Sequence, residues 1–229
     1  MNRSFFSAND SLVDLINRDF NILPILSRFS IPLGFGTKSI GEVCQEAGIN
    51  TELFLLIVNF ILTGKVYGIK TEHAEGLVDF LHKSHDYFMA FKFPHIRANL
   101  LNALDRHHND INPAIVRFFD DYVKQVKDHF DYEETTVFPY VRSLAEGVAI
   151  PGYSISQFTR HHDKISEKLD ELKNIILRYY TTSVPDLMYD VLVDLYNCQS
   201  DLENHNDIEN TILVPVTTTL EMNDAKTKS

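Results

Sequence analysis

Two copies of one short motif, a histidine followed four residues later by a glutamate, lie in the second half of the chain. They are His129-x3-Glu133 and His205-x3-Glu209. Residues four apart project from the same side of a helix, so each motif would present an imidazole and a carboxylate together. Imidazole nitrogens and carboxylate oxygens are ligands of iron, manganese and zinc. The motifs therefore predict metal binding.

Both motifs lie on apolar stripes, which is an unusual place for a carboxylate. The first is in line with Val126 and Val137, and the second with Leu202 and Ile212. Burial of an isolated charge is costly, so a carboxylate there must be paired or bound to a metal. A single His-x3-Glu is more often an ion pair on a helix surface. Two copies on apolar stripes, each followed by proline at the same distance, favour the metal site.

The sequence around the motifs repeats as well. The matching positions are Phe138-Pro139 with Val214-Pro215, and His85-Asp86 with His162-Asp163. We interpret the repeat as two helical hairpins, each with one histidine and one His-x3-Glu motif, in a pattern that resembles an internal duplication. Four imidazoles and two carboxylates could then hold two metal ions, with both glutamates bridging, and bridging carboxylates in a helical bundle favour iron.

The histidine from the first long helix has two candidates. His82 and His85 lie three residues apart, so both can face inward. The repeat favours His85 as the ligand, and His82 is then either an alternative ligand or a group that supports one.

The remaining histidines have ordinary interpretations. His161 lies about 100° round a helix from His162, and Glu134 lies off the stripe of Glu133, so we expect both His161 and Glu134 to be exposed. Structural or loop positions suit the others, which are His73, His95, His107 and His108.

The elements that must position these residues are four long amphipathic helices with short connections. Their ranges are about 76–105, 113–146, 154–181 and 185–214. They predict an all-α fold, an up-down-up-down four-helix bundle over 76–220. We expect a small helical module over 1–62, a linker over 63–75 and a disordered tail over 221–229. Pro94 is expected to kink or break its helix.

Composition narrows the function further. The chain has 229 residues, and its net charge of −11 argues against nucleic acid or an anionic membrane as the main partner. The start lacks the apolar run of a secretory signal, and the longest apolar stretch, Leu53–Leu62, is about half of a membrane span. We therefore expect a cytoplasmic protein. Cys44 and Cys198 are single, apolar-flanked core residues, which excludes a disulfide scaffold and a thiolate zinc site.

Over about 76–218, the two motifs, their Phe-Pro and Val-Pro flanks and the His-Asp helices resemble the hemerythrin-like cation-binding (HHE) domain. The preceding module resembles the N-terminal domain of the repair-of-iron-centres proteins, also called regulators of cell morphogenesis and nitric-oxide signalling. That second likeness lies in Leu12-Val-Asp-Leu, Ile25-Leu-Ser-Arg-Phe and Gly36-Thr-Lys-Ser-Ile.

The resemblance implies two non-haem iron ions held by four histidines and two bridging glutamates. Carried over residue by residue, the ligands are His85 or His82, His129, Glu133, His162, His205 and Glu209. In the family the first histidine of a His-x2-His pair can be the ligand, which keeps His82 as an alternative. By ligand type, zinc or manganese also fits.

The resemblance also implies a role in nitrosative or oxidative stress and in repair of iron–sulfur clusters. NO or O2 would be the ligand, and damaged iron–sulfur proteins would be the partners. The family's N-terminal module carries a Cys-Cys pair where this chain has Gly34-Phe35, so a redox role of that pair cannot operate here.

Two other functions remain open. One is an O2- or NO-binding sensor or an iron-storage protein without turnover, and whether the chain is an enzyme is left undecided. The other is an interaction module whose N-terminal helices dock a partner. The stretch Leu53–Leu62 is apolar almost all round, which suits a core or the interface of a homodimer.

Overall fold

The computed structural model describes residues 5–104, 111–161, 167–182 and 185–227. Helices cover most of these ranges, and no strand forms within them; Ser11 and Ser39 make an isolated antiparallel bridge. The all-α class predicted from the sequence is confirmed. No helix in the described ranges is both long enough and apolar enough to cross a membrane.

The α-helices follow one another with short connections. They are α1 (Leu12–Arg18), α2 (Leu23–Arg28), α3 (Ile40–Glu46), α4 (Thr51–Thr63), α5 (Ala74–Asp86), α6 (Phe93–Ala103), α7 (Asn112–Tyr132), α8 (Phe138–Ala145), α9 (Ile155–His161), α10 (Glu167–Tyr179), α11 (Pro185–Ile208) and α12 (Val214–Thr227). Short 3₁₀ turns occupy Phe20–Ile22 and Thr71–His73. Wider π-helical turns occupy Tyr87–Lys92, Glu133–Val137 and Glu209–Leu213.

The chain packs as two compact units. The first comprises residues 1–84, 137–160 and 204–229, and the second comprises 85–136 and 161–203. Each unit therefore draws on several separate stretches of the chain. The predicted domain bounds, 1–62, 63–75 and 76–220, stay predictions.

Local capping signals set the short helices of the first unit. The Ser39 side chain accepts a hydrogen bond from the Glu42 backbone, and the Glu42 carboxylate accepts one from the Ser39 backbone, which completes a capping box. The pKa of the Glu42 carboxyl is lowered because the carboxylate accepts hydrogen bonds from the backbone N–H and the hydroxyl of Ser39. The core of the unit is lined by buried apolar side chains from α1, α2, α4, α5, α8, α9 and α12.

The second unit is built on one apolar cluster. Its buried side chains come from α6, α7, α10, α11 and the π turn before α6. Arg97 on α6 donates two hydrogen bonds, of 2.7 and 2.9 Å, to the carboxylate of Asp120 on α7. Lys92 lies 2.7 Å from Asp194 on α11. The polar contacts thus tie the same helices that the apolar cluster joins.

Each π turn leads directly into a proline. The prolines are Pro94, Pro139 and Pro215, each the second residue of the α-helix that follows its π turn. The backbone N–H of Phe93 donates to the Phe88 carbonyl, and that of Val214 to the Glu209 carbonyl, so both bonds span five residues. The widened turn makes room for a ring that an α-helix would clash with. The helical path therefore continues through Pro94 instead of breaking there.

The end of the chain differs from the predicted disordered tail over 221–229. Helix α12 extends to Thr227, and the last two residues lie outside the described part. The carboxylate of Glu221 accepts hydrogen bonds from the Tyr140 hydroxyl (2.6 Å) and the Ile155 backbone N–H (2.8 Å). These contacts within the first unit hold a polar segment whose composition alone indicated disorder.

Candidate metal centre

Glu133 is the focus of a buried polar group in the second unit. Its side chain is fully buried at the junction of α7 and the following π turn. Its Oε1 lies 2.9 Å from Nε2 of His129, and its Oε2 lies 3.1 Å from Nε2 of His85. The two oxygens of one carboxylate therefore face two different imidazoles.

Helix α7 brings His129 and Glu133 together by its own geometry. The two residues lie four apart, and the buried side chains of Phe119, Tyr122 and Val126 line the same stripe. Burial of these apolar side chains turns the stripe inward, and the polar pair is carried inward with it. The sequence-based placement of this motif on a buried stripe is thus confirmed by the burial.

His85 is held by two contacts that direct its ring. Its Nδ1 lies 2.7 Å from Oε1 of Glu134, and its ring stacks on Phe130 with the ring centres 3.9 Å apart. With a metal ion bound by the Nε2 lone pair, which faces Glu133, the Nδ1 N–H would donate its hydrogen bond to Glu134. Nε2 of His85 and Oε2 of Glu133 are 3.1 Å apart, and a cation bound between these two atoms would stabilise both.

Glu134 was expected to be an exposed residue, and this expectation is wrong. Its side chain is about one-third exposed (32%) and hydrogen-bonds to His85. The prediction assumed the period of an α-helix. Glu134 lies instead in a π turn, which has more residues per turn. The change in period rotates its side chain toward His85. Pro139, six residues after Glu133, is the feature of the sequence that could have indicated a widened turn.

The structure treats His82 and His85 differently. His85 is 4% exposed, whereas His82 lies on the exposed side of α5. The Nε2 atom of His85 faces Oε2 of Glu133 at 3.1 Å. Its assignment as the ligand remains a prediction that this placement favours.

The second motif forms a matching pair in the first unit. His205 and Glu209 are both fully buried, and Nε2 of His205 lies 3.3 Å from Oε1 of Glu209. Glu209 begins a π turn, as Glu133 does. The repeat in the sequence therefore has a counterpart in local structure.

Both units contain buried side chains of the types that hold metal ions, His85 and Glu133 in the second unit and His205 and Glu209 in the first. We refer to these four residues as the His/Glu group. His129 contacts Glu133, as described above. His162, which the repeat also predicts as a ligand, lies outside the described residues.

The donor separations fit metal coordination. Two donor atoms bound to one ion, each about 2.0–2.2 Å from it, lie roughly 2.9–3.5 Å apart in octahedral or tetrahedral geometry. The three imidazole–carboxylate separations are 2.9, 3.1 and 3.3 Å. Neutral imidazole and carboxylate are also the donors that iron, manganese and zinc accept.

The remaining titratable candidates lie elsewhere. His95 is half exposed and lies 3.5 Å from Asp194. Cys44 and Cys198 are both buried, which confirms their assignment to the core. Burial raises the pKa of the Cys44 thiol to about 11. His107 and His108 fall outside the described residues, and His73 is buried, as discussed below.

Comparison with known protein families identifies a family that matches this chain. The family model of the hemerythrin HHE cation binding domain matches residues 76–217, which is more than half of the chain. No curated protein and no solved structure matches.

Proposed function

Because the chain belongs to the hemerythrin HHE cation-binding domain family, we propose that its buried His/Glu group is a centre of two non-haem iron ions. The family and the group together make the chain a metal-binding protein. Beyond metal binding, we propose three things: that the metal is iron, that two ions bind, and that the ligand set is the one given below.

One observation carries the two-metal proposal. Glu133 is fully buried, and each of its oxygens faces a different imidazole nitrogen, that of His129 or that of His85. A carboxylate held in this way is suited to bridge two ions, one on each oxygen. The repeat assigns the same role to Glu209. The proposed ligands are His85, His129, Glu133, His162, His205 and Glu209.

The donor set supports iron over the alternatives. It contains imidazoles and carboxylates and no thiolate, and bridging carboxylates in helical bundles are typical of iron and manganese pairs. Zinc would fit the donor types as well. Metal analysis together with the visible spectrum separates the cases, because an iron centre absorbs in the near-ultraviolet and zinc has no such band.

A bound iron pair would supply an open coordination position for a diatomic gas, NO or O2. The chain's own residues prepare the surroundings of that position. Glu134 orients the His85 ring through Nδ1, and Phe130 covers one face of that ring. Buried apolar side chains on α7 limit access of water to Glu133.

For the biological role, we propose a function in nitrosative or oxidative stress, with repair of damaged iron–sulfur proteins as one form of it. The resemblance of the N-terminal residues to the repair-of-iron-centres proteins supports this form. Residues 1–75 lie outside the family match, however, so the resemblance is its sole support.

One feature favours the alternative of a gas sensor or iron store without turnover. The segment before α3 has an exposed Gly34 and a half-buried Phe35 in place of the cysteine pair that the resemblance would require for redox work. A chain without that pair keeps the metal centre and loses one route for electron or iron transfer.

A repair assay separates the two roles. The reduced, iron-loaded protein would be incubated with a cluster enzyme that has been inactivated by NO. Recovery of the enzyme's activity supports repair. Absence of recovery, together with tight and reversible binding of NO or O2, supports the sensor and contradicts the repair role.

A further inference from the structure

A second set of potential metal ligands lies in the first unit. Glu52 is in the first turn of α4, and Glu72 and His73 belong to the 3₁₀ turn just before α5. The donor atoms of these three residues all lie within 4.8 Å of one another. None of them belongs to the His/Glu group of the proposed iron centre.

His73 is the unusual member of this set. It is 2% exposed, and neither ring nitrogen has a hydrogen-bond partner in the described part of the chain. Its Nε2 lies 3.8 Å from Oε2 of Glu52. An imidazole that is buried without hydrogen bonds lowers the stability of the folded chain, and a ligand bound to its nitrogen would offset that loss. Burial lowers the pKa of His73, which leaves its ring neutral and able to donate a lone pair at neutral pH.

A positive charge already lies between the two carboxylates. The Lys70 ammonium is 2.5 Å from Oε2 of Glu52 and 3.4 Å from Oε1 of Glu72. The Lys70 side chain is about half exposed (46%), and both carboxylates are more exposed still. The ammonium can therefore move into solvent without disturbing the core, and its place is reached from outside.

We propose that Glu52, Glu72 and His73 form a second site for a divalent cation of the Zn²⁺ type, which enters in exchange for the Lys70 ammonium. One imidazole and two carboxylates are a ligand set that zinc uses, with a fourth position left for water. Donors on a tetrahedral ion lie roughly 3.3–3.5 Å apart. The separation of 3.8 Å between His73 and Glu52 closes to this value by a small movement of the exposed Glu52 side chain.

The exchange with Lys70 gives the site a distinctive signature. Replacement of a ligand weakens metal binding, but replacement of the competing ammonium strengthens it. A non-specific cluster of surface acids responds to both changes of charge as well, but it does not depend on the buried His73 imidazole, so His73→Gln separates the two cases.

The test is a titration of the full chain, already loaded at its His/Glu centre, with Co²⁺ followed by its visible spectrum and with Zn²⁺ followed by calorimetry. We expect one additional ion to bind. Lys70→Gln should tighten its binding about tenfold, and Glu52→Gln or His73→Gln should weaken it by about tenfold or more. Lys38→Gln is the matched control, because Lys38 forms an exposed ion pair of 2.6 Å with Glu46, outside the group of Glu52, Glu72 and His73.

Two results would overturn the proposal. One is the absence of an additional ion in both the unmodified chain and Lys70→Gln. The other is equal affinity in the unmodified chain, Glu52→Gln and Lys70→Gln. Glu52 and Lys70 are exposed, so neither variant is expected to disturb folding, and a circular dichroism melt checks the His73→Gln variant.

Discussion

At the scale of single residues, the chemistry depends on how a buried carboxylate is surrounded. Glu133 has one imidazole on each oxygen, and the pairing of His129 with Glu133 could be predicted from the sequence because four-residue spacing is a local property of a helix. Its contact with His85 could only be suggested by the repeat, since it joins two separate helices. The role of Glu134 was missed because it depends on the π turn.

Glu134 should tune metal binding through the ring that it orients. We expect Glu134→Ala to lower metal affinity about 10- to 100-fold, because the Nδ1 hydrogen bond of His85 fixes the ring and raises its basicity. The measurement is a competition titration against a chelator of known affinity. Glu171→Ala, which removes an exposed glutamate on α10, serves as the control. Equal affinities in the two variants would show that the Glu134 contact has no bearing on the metal.

The choice between His82 and His85 can be settled by paired substitutions. His85→Ala should lower the metal content sharply, because it removes the nitrogen that faces Glu133. His82→Ala, which changes an exposed position three residues earlier, should leave the metal content near that of the unmodified chain. The readout is metal per chain by elemental analysis. The reverse pattern would assign the ligand to His82.

At the scale of elements, the sequence predicted where helices begin better than how they continue. A capping box such as that of Ser39 and Glu42 can be predicted from sequence, because every contact in it lies within four residues. The π turns were not predicted, because a proline after a long helical pattern indicates a kink as readily as a widened turn. Tertiary packing, which keeps the stripes on both sides of each proline buried, decides between the two.

The π turn after Glu133 should matter for the metal site. Pro139→Ala removes the ring that requires the widened turn, so the segment can relax toward an α-helix and rotate Glu133 relative to α8. We expect metal content to fall while the helical circular dichroism signal is retained. Unchanged metal content would mean that the turn is held by packing and that the proline has no part in it.

At the scale of the whole molecule, acidic composition and metal binding are connected. The net charge of −11 argues against nucleic acid as the main partner, but it does not reveal that Glu133 and Glu209 are buried. The family match begins at residue 76 and ends at 217, so helices α1 to α4 precede the matched range. Their function could not be derived from the sequence, because short capped helices are common to many folds.

Removal of the metal should destabilise the chain as a whole. Without a metal ion, the buried carboxylates of Glu133 and Glu209 lose the positive charge that the proposal places beside them, which is unfavourable. A ligand present at about 100 times its dissociation constant contributes about 2.7 kcal/mol. For a chain of this size we expect the melting temperature to fall by roughly 5–10 °C on chelation. A melting temperature that does not change on removal and return of metal would contradict the account.

The most direct test of the central claim is elemental analysis of protein produced in iron-replete cells, with the unmodified chain beside the Glu133→Ala, Glu209→Ala double variant. The account predicts about two iron ions per chain for the unmodified protein. It predicts almost none for the double variant, because both proposed bridges are gone. Full metal content in a folded double variant would contradict the proposal that these two buried glutamates bridge the metal ions.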